Sequence, residues 1–301
     1  MIDTEAVECR IKLSVCIVTF NQEKYVRQCI ESILNQVVDF EYEIIVGDDF
    51  STDNTRLIVE EISRLYPVKI KKVFHNKNFG PVRNYLLTHG HAVGEYIAHM
   101  DGDDYALPRK LQSQVDFLDN NKNFNVVWHR VKYSFSDGRE LDDLVDYKKI
   151  ENGFDRKDLI QYTFLANHST KMYRRTQREH VSWRNDTFDY FFNIEHAQSG
   201  RAGYIGSNIL GVYRVGIGVS TDKSSIFRKN LIQRLYKMAH SNPGDRDVIN
   251  CAALTLMLSD VKSISKTSIN SFKLWLCTVS INAMKRYRRH FQSRKMYATP
   301  K

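Results

Sequence analysis

The chain reads as an α/β protein, a mainly parallel sheet with helices on both faces. Three observations predict this. Strand-like segments recur at 13–19 and 43–46, as apolar runs rich in β-branched residues, at 68–74, by alternation, and at 96–100. Between them apolar residues repeat at helical spacing. The order that results, βαβαβαβ, is that of parallel strands joined by crossover helices. A chain of 301 residues with 42% hydrophobic content can bury one large or two modest cores, which excludes wholesale disorder.

The elements follow in order. Residues 13–19 (LSVCIVT) form a short apolar run, the mark of a buried strand. Val26, Ile30, Ile33 and Leu34 fall on one face of a helix over 24–36. Residues 43–46 (EIIV) make a second strand, which GDDFSTDNT ends. Leu57, Ile58, Ile62 and Leu65 mark a second helix, closed by Pro67. A third strand is expected over 68–74, a helix over 82–88, a strand over 96–100 and a helix over 107–119. Residues 125–134 and 203–215 are strand-like, 137–153 a charged loop, and 159–165 and 187–199 helical. Composition shifts near Ser220, and the remainder reads as helices broken at Asn242, Pro243 and Gly244.

Charge divides along the same line. Residues 221–301 hold 16 Lys+Arg and 4 Asp+Glu, a net of +12, and residues 1–220 hold the other 28 and 31, a net of −3. A basic nucleic-acid cleft is therefore not expected in the body, and nucleic acid is not expected as a partner. The five cysteines include no CxxC pair, which argues against a disulfide framework or a structural zinc site. The first ten residues carry three acids and no apolar core of a signal peptide, so a cytoplasmic protein is expected.

In parallel sheets ligands sit at the carboxyl ends of the strands. There the sequence places Thr19, Phe20 and Asn21; Asp48 and Asp49; and Asp101, Gly102, Asp103 and Asp104. Three carboxylates within four residues repel unless a cation neutralises them, and oxygen-only ligands suit Mg2+ or Mn2+. An acidic turn capping the next helix is the plainer alternative. Asp48 or Asp49 could accept hydrogen bonds from a base or ribose, while Ser51 and Asp53 suit helix capping. Arg83 has the planar fork for a phosphate, or is a surface arginine. His99 reads as strand packing. GxGxxG, Walker, HExxH and GxSxG motifs are absent from the sequence.

Taken together, LSVCIVTFNQEKYVRQCIESILNQ, YEIIVGDDFSTDNT, GEYIAHMDGDD with LPRKLQSQVDFLD, and GYIGSNILGVYRV resemble a family 2 glycosyltransferase of the GT-A fold. The resemblance implies a GT-A domain over 1–220, with a nucleotide-sugar half (1–105) and an acceptor half (106–220), and a basic helical region over 221–301. It implies inverting transfer from a nucleotide-diphosphate sugar, usually a UDP-sugar, with Mn2+ or Mg2+. Thr19, Phe20, Asn21, Asp48 or Asp49, Arg83 and Asp101 would then lie at the nucleotide, and Asp101, Asp103 and Asp104 at the metal. Asp189 would be the base, with Asp186 in reserve. Many relatives carry a histidine after the YR of VYRV, where this chain has Val215 and Gly216. That departure puts a metal contact from this loop in doubt, while Tyr213 and Arg214 would still border the site. The expected acceptor is a glycan or lipid-linked glycan of capsule, O-antigen or other surface polysaccharide.

Two other classes of protein fit the sequence less well. A sugar-nucleotide nucleotidyltransferase would open with a Gly-rich loop after the first strand, which TFNQEKY lacks. A non-catalytic basic membrane-binding protein would have no use for the carboxylates. In the tail, Phe272, Trp275, Leu276, Val279, Ala283 and Tyr287 fall at helical spacing, with Lys285, Arg286, Arg288, Arg289, Arg294 and Lys295 alongside or after. Such a helix suits the anionic inner face of a membrane.

Overall fold

The structure, a computed structural model, describes residues 11–146, 150–162, 166–180, 189–198, 200–217, 225–262 and 268–294. The boundary near Ser220 lies outside these residues. The elements run β1 (Leu13–Thr19), α1 (Val26–Leu34), β2 (Tyr42–Asp48), α2 (Thr55–Leu65), β3 (Ile70–Phe74), α3 (Pro81–Gly90), β4 (Tyr96–Asp101), β5 (Tyr105–Ala106) and α4 (Lys110–Asn120). They continue with β6 (Phe124–Phe135), β7 (Glu140–Asp142), α5 (Arg156–Gln161), β8 (Met172–Arg174), α6 (Asp189–Ala197) and β9 (Arg201–Val215). Four helices end the described chain: α7 (Ser225–Ser241), α8 (Arg246–Lys262), α9 (Ser268–Thr278) and α10 (Ile281–Arg294).

One sheet runs β3-β2-β1-β4-β8-β6-β9-β5, with β7 against β6. β1, β2, β3 and β4 are mutually parallel, as the sequence predicts, and β8 enters antiparallel between β4 and β6. Because β1 lies between β2 and β4, the chain departs from it in opposite directions, and a crevice forms at the carboxyl ends of these strands. The register brings Thr19 level with Asp48 and Val18 level with Asp101.

Alternate residues of β1 supply two cores. Leu13, Val15 and Ile17 pack with α1, α2 and α4 on one face. Cys16 belongs to a cluster on the other face with Trp128, α5, α6, α7 and α8. The late helices therefore share a core with the sheet, and the Arg234–Glu195 pair at 2.6 Å adds a polar tie. Gly47 is dictated by close approach, since a Cβ there would lie 1.7 Å from Thr88 Oγ1 on α3. Cys16, Cys29, Cys251 and Cys277 are free thiols.

The structure corrects four local expectations. β3 begins at Ile70, because Lys69 and Ile70 donate to the Tyr66 carbonyl in a turn that leaves Val68 fully exposed. The 137–153 loop contains β7, anchored by buried Asp143 accepting from Arg130 Nε (2.6 Å) and the Val131 amide (2.8 Å). β8 was not anticipated. The tail stripe over 272–291 is two helices, because Ser280 Oγ accepts the Ala283 amide at 3.0 Å and caps a new start. Trp275 and Ala283 pack inward, whereas Phe272, Leu276 and Val279 are exposed.

Candidate active site

The acidic motif is a turn at the end of β4. The Asp104 amide donates to the Asp101 carbonyl at 3.0 Å, and the Gly102 amide to the Val18 carbonyl at 2.8 Å. The turn presses so closely on the β1 exit that a Cβ on Gly102 would lie 2.5 Å from Gln22 Oε1 and 3.0 Å from Thr19 Oγ1. Both of those oxygens are buried without a hydrogen-bond partner among the described residues.

The three aspartates are not equivalent. Asp104 is buried, its Oδ1 accepting the Arg214 amide at 2.9 Å and its Oδ2 lying 2.5 Å from Ser169 Oγ. Burial and the two neighbouring aspartates push it well above the ordinary carboxylate range, and its contacts tie the turn to β9. Asp101 and Asp103 are the other two carboxylates of this turn. Burial, and then Asp101, push Asp103 up to about 6. The Asp101 side chain is 32% exposed, and it sits between His99 Nε2 (3.2 Å) and Ser169 Oγ (3.0 Å).

The protein supplies part of the counter-charge that the sequence alone assigned to a cation. Lys110, buried at the start of α4, donates to the Ser169 carbonyl at 2.7 Å. Lys171, immediately before β8, is fully buried, and its Nζ has no hydrogen-bond partner among the described residues. Burial lowers Lys110 to about 8 and Lys171 to about 7, against the opposing pull of the aspartates. Arg214 closes the front. Its guanidinium donates to the Asp103 carbonyl and to Gln28, and lies 4.9 Å from the rings of both Tyr25 and Tyr105.

These lysines set the sign of a pH effect. The folded chain releases protons from both at a lower pH than the unfolded chain, so stability should rise between pH 7 and 9. Thermal melts across that range should show the rise, and Lys171→Met should flatten it. A melting temperature that falls from pH 7 to 9 in the parent chain refutes this reading of the lysines.

Asp189 opens α6 with an exposed side chain, its Oδ1 3.4 Å from His168 Nδ1. The surrounding protein and then Asp101 push it up to about 6, while Lys171 acts in the opposite direction. A short turn, His168–Thr170, thus joins the two halves: His168 faces Asp189, and Ser169 bonds Asp101 and Asp104. The reserve base Asp186 lies outside the described residues.

Around the nucleotide candidates, Phe20 is 37% exposed. Asn21 and Phe50 hold left-handed backbones (φ 52° and 66°), a conformation that costs a non-glycine residue about 1 kcal/mol or more and needs outside support. The loops after β1 and β2 supply it, through Ser51 Oγ accepting the Asn21 amide (2.9 Å) and Asn21 Oδ1 accepting the Thr52 amide (2.8 Å). Asp48 is engaged internally by Ser51 and by Arg56 Nε at 2.5 Å. Asp49 accepts the Phe79 and Gly80 amides at 2.7 and 2.8 Å and shapes that loop. Arg83 is exposed with its guanidinium 4.4 Å from the Phe79 ring. Its neighbour Asn84 is buried and bonds the Gly47 carbonyl at 3.0 Å.

Sequence reasoning missed Gln22, His168, Ser169, Lys110 and Lys171, and took His99 for packing alone. NHSTK at 167–171 was the available signal, a polar run preceding a three-residue strand.

Among the described residues no three His, Cys, Asp or Glu side chains form a ready metal cage. The donor set nevertheless fits a hard divalent ion. It consists of two carboxylates beside unpartnered oxygens, and such ions take one or two carboxylates and complete their shell with waters and substrate phosphates.

A parallel sheet with a carboxylate-lined crevice at its switch point defines the class: an α/β protein built to hold a polar, anionic ligand with a cation. The profile of Glycosyl transferase family 2 matches residues 14–181, and the chain belongs to that family. It is 32% identical over 181 residues to the minor teichoic acid biosynthesis protein GgaA of Bacillus subtilis, covering 53% of this chain and 40% of that one. S. aureus TarS 1-349 in complex with UDP-GlcNAc superposes with a TM-score of 0.67 at 18% identity, covering 95% of this chain and 92% of that 1-349 chain. The mannosyltransferase PcManGT of Pyrobaculum calidifontis, in complex with GDP-Man and Mn2+, superposes at 0.60 and 17% identity, covering 95% and 84%. These likenesses establish the GT-A fold. The chain spans about half the length of the curated relatives it matches, 58% of an uncharacterized Mycobacterium tuberculosis protein and 40% of GgaA.

Proposed function

We propose that the chain is an inverting, metal-dependent glycosyltransferase that moves a sugar from a nucleotide-diphosphate donor, a UDP-sugar, to a glycan or lipid-linked acceptor of a surface polysaccharide. The observation that carries this is the placement of Asp101 and Asp103 beside the β1 exit, with Asp189 brought to them by the His168–Thr170 turn, whose His168 faces Asp189 and whose Ser169 bonds Asp101. In this reading Thr19, Phe20, Asn21 and Asp49 frame the nucleoside, with Asp48 and Arg56 fixing the loop and Arg83 at its edge. Asp101 and Asp103 would hold Mn2+ or Mg2+, which would supply positive charge to offset the negative charge developing on the leaving group. Asp189 takes the proton of the acceptor hydroxyl. The acceptor oxygen bonds the anomeric carbon from the face opposite the departing phosphate, whose bond breaks with its electron pair going to the nucleoside diphosphate. His168 lies beside Asp189, and Lys171 favours its ionised form.

UDP with Mn2+ should raise the melting temperature of the full chain, whereas RNA should not. A ligand at about 100 times its Kd stabilises by about 2.7 kcal/mol. A melt unmoved by UDP and Mn2+ contradicts the proposal. The donor sugar is then found by hydrolysis against a panel of nucleotide sugars.

The acceptor reading extends to location, a peripheral site on an anionic membrane. What supports it is the exposed Ile269, Phe272, Leu276, Ile281 and Met284 on α9 and α10, set among the basic residues of the tail. A groove of about 910 Å3 between α7 and α9, lined by Lys229, Lys237, Lys273 and Leu276, adds a basic apolar surface. Among the described residues no helix is long and apolar enough to cross a membrane. The full chain should sediment with anionic vesicles, and a Phe272→Ser, Leu276→Ser variant should remain in solution. Equal sedimentation of both reduces this face to surface.

A further inference from the structure

A chain of hydrogen bonds runs from the sheet interior to Asp101. Tyr173 Oη lies 2.8 Å from His89 Nδ1, His89 Nε2 lies 3.0 Å from His99 Nδ1, and His99 Nε2 lies 3.2 Å from Asp101 Oδ1. The three groups come from β8, α3 and β4, and all are buried. The carboxylate end dictates every proton. An ionised carboxylate only accepts, so His99 Nε2 carries hydrogen and donates. In a neutral ring His99 Nδ1 is then bare and must accept from His89 Nε2. By the same logic His89 Nδ1 is bare and accepts from the Tyr173 hydroxyl.

All three donors thus point toward Asp101. Ser169 fixes the other side of that residue: Oγ donates to Oδ2 at 3.0 Å and accepts the Asp101 amide at 3.0 Å. The carboxylate is held at both oxygens, and its remaining lone pairs are left for a ligand. Apolar side chains of the same size would fill this space without the desolvation cost of two imidazoles and a phenol. The expense is understandable where the chain ends, at a partly exposed carboxylate of the candidate site.

We propose that Tyr173, His89 and His99 are a positioning relay that fixes the Asp101 carboxylate in the orientation its divalent cation and nucleoside diphosphate require. The proposal rests on the site reading given above. Outer-shell partners of metal ligands typically carry about 10- to 100-fold in metal affinity.

The test is Mn2+ binding to the full chain in the presence of UDP, read from the paramagnetic resonance signal of free Mn2+. His99→Phe should weaken binding by about 10-fold or more. Tyr173→Phe, which removes only the far donor, should weaken it by a smaller factor. His99→Gln, whose amide N–H can reach Asp101, should recover part of the loss. Ligand-free melts report folding, and if His99→Phe does not fold, Tyr173→Phe decides. Folded His99→Phe and Tyr173→Phe proteins that bind Mn2+ and UDP like the parent overturn the relay. Asp101→Asn separates the two readings. If it binds like the parent, the site assignment fails and the relay falls with it. If it alone loses binding, only the relay fails.

Discussion

Asp189→Asn should lower sugar transfer by about 10³-fold, the middle of the range that a positioned general base supplies. Asparagine keeps the size and the polar contacts of the side chain but cannot take the acceptor proton. Binding of UDP and Mn2+ should persist, because in the proposed function Asp189 would serve the acceptor rather than the nucleotide. The measurement is kcat beside the UDP-induced melting shift. Loss of kcat with the shift intact is the expected signature, and a D189N protein that transfers at the parent rate removes the base assignment. The same residue sets a pH dependence. Its carboxyl is pushed up to about 6, so activity should fall on acidification through pH 6, as the base becomes protonated. Lys171→Met removes a cation that lowers this value, and should move the acid limb to higher pH.

Asp103→Asn should reduce kcat/KM by about 10²- to 10³-fold, the cost of losing one element of charge stabilisation at a leaving group. Its effect on folding should have the opposite sign. Asp103 titrates near 6, raised by burial and by Asp101, so its ionised form at neutral pH is strained by repulsion. A neutral amide relieves that, and the ligand-free melting temperature should hold or rise. Activity and stability moving in opposite directions is what a retained, self-repelling ligand site predicts. A D103N protein that loses both together would make Asp103 a structural residue. Asp104 provides the contrast, since its carboxyl ties Ser169 to the Arg214 backbone and its removal should loosen β9.

The strands of the nucleotide half were legible because strands buried on both faces need continuous apolar runs. LSVCIVT and EIIV have no other reading at that length. The acidic turn was legible because like charges at such spacing need a reason. β8 was not legible: three residues carry no period, and its place is set by pairing with β4, some seventy residues earlier in the chain. With β8 hidden, so was the turn before it that brings His168 and Ser169 to the carboxylates. Lys110 and Lys171 were missed because a lysine is read as solvent-facing unless something distant encloses it. The α9–α10 break was written in Ser280, a plain N-cap signal that the apolar spacing on either side obscured.

The sequence by itself determined the parallel sheet, its helices and the strand ends at which chemistry would gather, since these follow from local burial and chain connectivity. Only the folded chain shows which internal bonds each member of that set makes. Asp104 also bonds the β9 backbone, Asp48 and Asp49 also brace their loops, and His99 lies against Asp101. The reason is physical. Whether a carboxylate is charged, partnered or open depends on the solvent it loses and the groups brought near it, and those come from residues far away in the chain.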